Sequence, residues 1–143
     1  MRDISKYEDQ TELSSEDGLT KGNCLSACLA NLLNINLKDI PNFCYFEDKW
    51  FFHFSEFLRK HNYEFEGSYY FNLANTPQTW EGLLELSPGI NGIFIASGKS
   101  PRAYVKNGHA VLYKEGRLLH DPSPTKAGIL TLDYVFLIEP RKL

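Results

Sequence analysis

The sequence lacks the features that mark several protein classes. Its densest apolar stretch, Tyr134-Val135-Phe136-Leu137-Ile138, is five residues long, against the ~20 that a bilayer-spanning helix needs. No run of Lys or Arg is longer than two residues, and 15 basic against 18 acidic residues leave a net charge of −3. Gripping a phosphate backbone or an anionic membrane takes a basic face that displaces counterions, so neither nucleic acid nor membrane is an expected partner. Cysteine is scarce and odd in number, at three, which argues against a disulfide framework and for free thiols. The opening residues, Met1 to Gln10, lack the apolar core of a signal peptide, and the expected location is the cytoplasm. There is no internal repeat, low-complexity tract or linker, so a single domain over residues 1–143 is expected.

What is present divides in two. Residues 1–22 are polar and contain Ser14-Ser15-Glu16-Asp17-Gly18, which reads as an arm or loop. From Asn23 to Asn34, Leu25, Cys28, Leu29, Leu32 and Leu33 recur at helical spacing and predict an amphipathic helix. Gly22-Asn23 supplies its turn and a candidate N-cap, which puts Cys24 in the first helical turn. Trp50, Phe51, Phe54, Phe57 and Leu58 predict a second helix over 47–60, and Thr76-Pro77 reads as the start of a third that runs through Leu86. Beyond Gly89 the texture is β: short runs at 92–96, 109–113, 117–120 and 130–138, with Glu115-Gly116 as a tight hairpin. Helices first and strands second is a segregated α+β pattern.

Three residues can carry chemistry together. A cysteine in the first turn of a helix has its thiolate stabilised by unpaired backbone N–H groups and the helix dipole, which makes Cys24 a candidate nucleophile. His109, opening a predicted strand, is a candidate base, since imidazole takes and returns protons near neutral pH. Asp121, twelve residues on across the Glu115-Gly116 hairpin, can lie beside His109 and orient its ring. Each has a plainer reading, as a packed thiol, a structural histidine and a turn-forming Asp-Pro. Cys28 and Cys44 read as packing residues, His53 and His61 as surface or packing residues, and His120 as facing away from His109. A zinc site from Cys24 and Cys28 is the metal alternative, but C-x₃-C without a second pair is a weak signal. No metal or organic cofactor is therefore expected.

Gly22-Asn23-Cys24-Leu25-Ser26-Ala27-Cys28-Leu29-Ala30-Asn31-Leu32-Leu33, then Gly108-His109-Ala110-Val111, then His120-Asp121-Pro122-Ser123-Pro124, resembles the papain-like cysteine peptidases in their compact bacterial form. The likeness is to the peptidase domains of bacteriocin-processing ABC exporters and to small papain-like proteins of bacteria and tailed phages. It implies N-terminal helices, with the nucleophile helix packed on a C-terminal antiparallel sheet. It also implies Cys24 as nucleophile, His109 as general base and acid, and Asp121 as orienting carboxylate. The implied activity is cleavage of an amide, peptide or isopeptide bond in a protein or peptide substrate through a thioester, in the host cytoplasm if the chain is phage-encoded. Acyl transfer by the same triad, or a papain-like module that binds a partner without turnover, are the alternatives. Such peptidases take an oxyanion donor from a glutamine close before the cysteine. Here the only upstream glutamine is Gln10, fourteen residues away, so either Gln10 reaches the site across an inserted loop, or Asn23 or a backbone group replaces it, or the oxyanion hole is incomplete. Substrate contacts are expected from the loops 97–107 and 122–128.

Overall fold

The structure is a computed structural model that describes residues 2–70, 79–102, 105 and 108–142. Its architecture is α+β. In chain order it has α1 (Cys24–Leu33), α2 (Trp50–Lys60), β1 (Tyr63–Tyr70), α3 (Trp80–Leu86), β2 (Ile93–Gly98), β3 (His109–Lys114), β4 (Arg117–His120) and β5 (Tyr134–Pro140). The five strands form one antiparallel sheet in the order β1-β5-β2-β3-β4. None of the described helices is long and apolar enough to cross a membrane.

Strand alternation sends side chains to two cores. Ile93, Ile95, Ala110, Leu112, Phe136 and Ile138 face α1 and α2, where they meet Ala27, Cys28, Leu32, Phe54 and Leu58. Phe94, Val135 and Leu137 face the other way, onto Leu83 of α3 and the half-buried Trp80 and Leu84. Between α2 and its approach, Phe43, Phe54 and Phe57 meet edge to face at ring distances of 5.6 and 5.9 Å, the geometry aromatic quadrupoles favour. The helix that carries Cys24 thus lies in the larger core, against the strand that carries His109.

The elements depart from the sequence pattern in four places. Strand β1 falls where the sequence pattern predicts no element, because a register shift between Phe65 and Gly67 interrupts the alternation Tyr63-Glu64-Phe65-Glu66. The expected 47–60 helix begins at Trp50. Ahead of it, Phe43–Lys49 forms 3₁₀ turns broken at Glu47, whose φ of 54° is left-handed. Thr76 and Pro77 lie outside the described residues. α3 starts at Trp80, capped by Thr79, whose hydroxyl accepts from the Gly82 N–H. β5 starts at Tyr134 rather than 130, because the preceding segment crosses the end of β2: the N–H groups of Leu130 and Asp133 bond the carbonyls of Lys99 and Ser97.

The hairpin at 115–116 forms as expected. Glu115 and Gly116 both take positive φ, 51° and 85°, the primed turn whose twist matches paired strands. A Cβ on Gly116 would stand 2.9 Å from the Trp80 ring, so this turn requires glycine for space as well as for conformation.

Candidate functional site

Cys24 opens α1, and Asn23 occupies the N-cap position without making a side-chain cap. The Asn23 amide is turned instead toward the N-terminal arm. Its Oδ1 accepts from the N–H groups of Thr11 and Glu12, at 3.0 and 2.9 Å, and its Nδ2 donates to Thr11 Oγ1 at 2.9 Å. Three such bonds tie the Asn23 amide to the arm, which gives Asn23 a scaffolding place.

β3 brings its first two residues to Cys24. The Ala110 N–H donates to Cys24 Sγ at 3.4 Å, and His109 lines the same cleft as Cys24, close enough for the two groups to interact electrostatically. His109 Nε2 lies 2.6 Å from Asp121 Oδ1, with both side chains buried. Asp121 sits immediately after β4. Its Oδ1 also accepts from the Ser123 N–H at 2.8 Å, and its Oδ2 from the Gly128 N–H at 2.6 Å. A carboxylate holding two backbone donors can only accept, so Nε2 carries the proton toward Asp121. Nδ1 is then the ring nitrogen left for the thiol.

The electrostatics follow from this geometry. Burial raises the Asp121 carboxyl, but the bonds from His109, Ser123 and Gly128 outweigh it and hold the group below the usual carboxylate range. Burial of the His109 ring disfavours its cation. The hydrogen bonds to Asp121 and Cys24, and the attraction of both groups, overcome that and raise its pKa from 6.5 to about 9. At neutral pH the ring next to the sulfur therefore carries a proton.

Gln10 is buried and lines the same cleft as Cys24 and His109. Its Nε2 donates to the Glu12 carbonyl at 2.9 Å, which fixes the amide's orientation, since an oxygen turned to that position would face another acceptor. One N–H of Nε2 remains beyond that bond, while Oε1 is buried without a partner. The cleft holds about 460 Å³ and continues from the sulfur along Leu25, Phe43, Trp50, Tyr134 and Phe136. Several aromatics that periodicity assigns to the core thus also form a wall open to a ligand.

The structure therefore brings Cys24, His109, Asp121 and Gln10 to one place. Cys28 lies apart, wholly buried in the core, and burial pushes its thiol well up. Cys44 lines the cleft, where burial pushes its thiol to about 11. Among the described residues no three His, Cys, Asp or Glu side chains gather as a metal site. His120 contacts Asp9 and the Tyr7 ring, outside the triad. Of the two loops expected to touch substrate, 97–107 supplies Ser97, Arg102 and Val105 to the cleft, with Ala103, Tyr104, Lys106 and Asn107 outside the described residues. No residue of 122–128 lines the cleft. That loop braces Asp121 instead, through Ser123, Gly128 and the Lys126 amine on the Asp121 carbonyl. The Ala110 N–H went unseen in the sequence because it is a backbone group. Trp50 and Tyr134 went unseen because helical or strand spacing does not separate a core aromatic from a cleft aromatic.

Comparison with protein-family models, with curated proteins and with solved structures gives no match.

Proposed function

We propose that this protein is a cysteine-dependent hydrolase of papain-like design, acting on an amide or peptide bond through a thioester. The observation that carries the reading is the Cys24 thiol at the start of α1 in one cleft with the His109 ring, which lies 2.6 Å from an Asp121 carboxylate held by two backbone amides. Structural cysteines rarely sit at a helix N-terminus under a backbone donor and beside a buried, carboxylate-bound imidazole in an open cleft.

The reaction follows from the proton positions. With His109 protonated, Cys24 attacks the carbonyl carbon as thiolate, forming the S–C bond and moving the carbonyl electron pair onto oxygen. The free N–H of Gln10 Nε2 and the Cys24 backbone N–H are the donors available to that oxyanion. When the C–N bond breaks, His109 passes its proton to the departing nitrogen and leaves a thioester on Cys24. Neutral His109 then takes a proton from water as the water attacks, and breaking the S–C bond releases the acid and restores the Cys24 thiolate beside protonated His109. Asp121 keeps the ring's tautomer and orientation throughout. An amine in place of that water would turn the same groups to acyl transfer. The volume of the cleft and its aromatic lining suit a peptide bearing a large apolar side chain.

The test is alkylation by iodoacetamide between about pH 5 and 9, with modified sites read by mass spectrometry. Cys24 should be labelled ahead of Cys44 and Cys28 across the range, and its rate should fall roughly tenfold or more in His109→Ala. A Cys24 rate no faster than that of Cys44, or unaltered by the substitution, would remove the catalytic reading.

A further inference from the structure

Asn31 is a buried polar residue that this chemistry does not use. It is wholly buried in α1 among Leu29, Ala30, Leu32 and Leu33, where an unpaired amide would be costly. It is fully engaged, and entirely with the arm that precedes the helix. Its Oδ1 accepts from the Glu8 N–H at 2.8 Å and from Arg2 Nη1 at 3.3 Å, and its Nδ2 donates to the Glu8 carbonyl at 3.0 Å. Both peptide groups of Glu8 are thus read by one side chain.

Asn23 does the same work at the other end of the helix, holding Thr11 and Glu12. Between the two clamped points lies Gln10. The arm therefore runs along α1, with Arg2 at the far end bonding Asn34 Oδ1 at 3.2 Å and the Ile35 carbonyl at 2.7 Å. Of residues 2–12 only Tyr7 packs against the main core. Hydrogen bonds rather than hydrophobic burial locate this segment: the Gln10 N–H donates to the Pro122 carbonyl, and on either side of it the two amides read the arm's backbone.

We propose that Asn23 and Asn31 are positioning residues: spaced along the nucleophile helix, they fix the arm on both sides of Gln10 and hold its Nε2 in the cleft that Cys24 lines. The proposal rests on Gln10 being the oxyanion donor. Its test uses two probes that differ in whether an oxyanion forms. With p-nitrophenyl acetate, Cys24 Sγ adds to the ester carbonyl through a tetrahedral oxyanion, p-nitrophenolate leaves and an acetyl thioester remains. With iodoacetamide, the sulfur displaces iodide directly and no oxyanion forms.

Gln10→Ala should slow acetylation while leaving alkylation of Cys24 at the wild-type rate; equal acetylation rates would end the oxyanion reading itself. Asn31→Leu, which keeps the volume and apolar packing of the helix, should slow acetylation roughly tenfold with alkylation unchanged. Combined with Gln10→Ala it should add no further loss, because both act on one group. If Gln10→Ala slows acetylation and Asn31→Leu does not, or slows both probes alike, or adds independently to Gln10→Ala, the positioning role is overturned. Asn23→Ser, a residue suited to the N-cap position of α1 but too short to reach the arm, carries the same expectations where Asn31→Leu fails to fold.

Discussion

The Gln10 N–H donates to the carbonyl of Pro122 at 2.9 Å. Pro122 follows Asp121, so the segment that carries the proposed oxyanion donor is bonded to the residue after the carboxylate that orients His109. An ion pair between Asp9 and Lys126 closes the same junction, and Lys126 also donates to the Asp121 carbonyl at 2.9 Å. The two polar ends of the site, donor and carboxylate, are held in one local frame.

Replacing that carboxylate leaves the imidazole buried with less to favour its cation. In Asp121→Asn the His109 pKa is expected to fall from about 9, since burial still acts and the charge has gone. Histidine titration by NMR reads the change directly, and Cys24 alkylation should slow with it. A His109 titration unmoved by the substitution would break the link between the two residues.

The same pair sets a pH window for stability. His109 has its folded pKa raised from 6.5 to about 9, so its contribution is complete below about 6.5 and disappears as pH rises through 9. At 1.36 kcal/mol per unit the loss is about 3 kcal/mol. Asp121, shifted downward, acts in the opposite sense: its contribution is present above the ordinary carboxylate value and is lost as pH falls through its folded value. Urea midpoints should therefore drop between about pH 6 and 10 in the wild type and drop less in His109→Gln. Equal losses in both proteins would contradict the assignment.

Gly98 ends β2 opposite His109, beneath the segment that crosses toward β5. A Cβ there would stand 1.6 Å from the Thr131 carbonyl oxygen, and no rotation of a side chain relieves a contact with backbone. Gly98→Ala should cost about 3 kcal/mol or more in chemical denaturation. It should also disturb Cys24 labelling, because the displaced strand pairs with His109. A neutral substitution would mean that the crossing segment yields freely.

The three thiols should separate by environment. Cys28 is wholly buried and should be labelled only on unfolding. Cys44, held at about 11, has roughly 10⁻⁴ of its thiol ionised at pH 7. Native-state labelling followed by peptide mapping should find Cys24 modified long before either, and prompt modification of Cys28 would show that α1 does not stay docked.

The gathering of Cys24, His109 and Asp121 was legible because its parts are local signals in a telling order: a cysteine just inside a helix start, and a histidine and an aspartate on the two arms of a Glu-Gly hairpin. Strand β1 was harder to see, since Gly67 at φ 146° interrupts a run of only four alternating residues. The arm was least legible. Segments held by hydrogen bonds from side chains to backbone have no hydrophobic period, so residues 2–12 look like any polar loop. Asn31, an amide inside an apolar helix, is the one trace of the arm's docking in the sequence. Asn23 stands at the N-cap position as the sequence suggests, but its side chain serves the arm instead, and only the position of Thr11 and Glu12 decides which.

The bond from the Ala110 N–H to Cys24 Sγ joins residues 86 apart in the chain. Contacts of such separation close late in folding, after helices and hairpins have formed locally. A chain with α1 and the β3–β4 hairpin already built, but not yet docked, holds an ordinary thiol and an ordinary imidazole. Should Cys24 react as the proposed function expects, that reactivity belongs to the assembled molecule, and in a refolding experiment it should rise with the last, global phase.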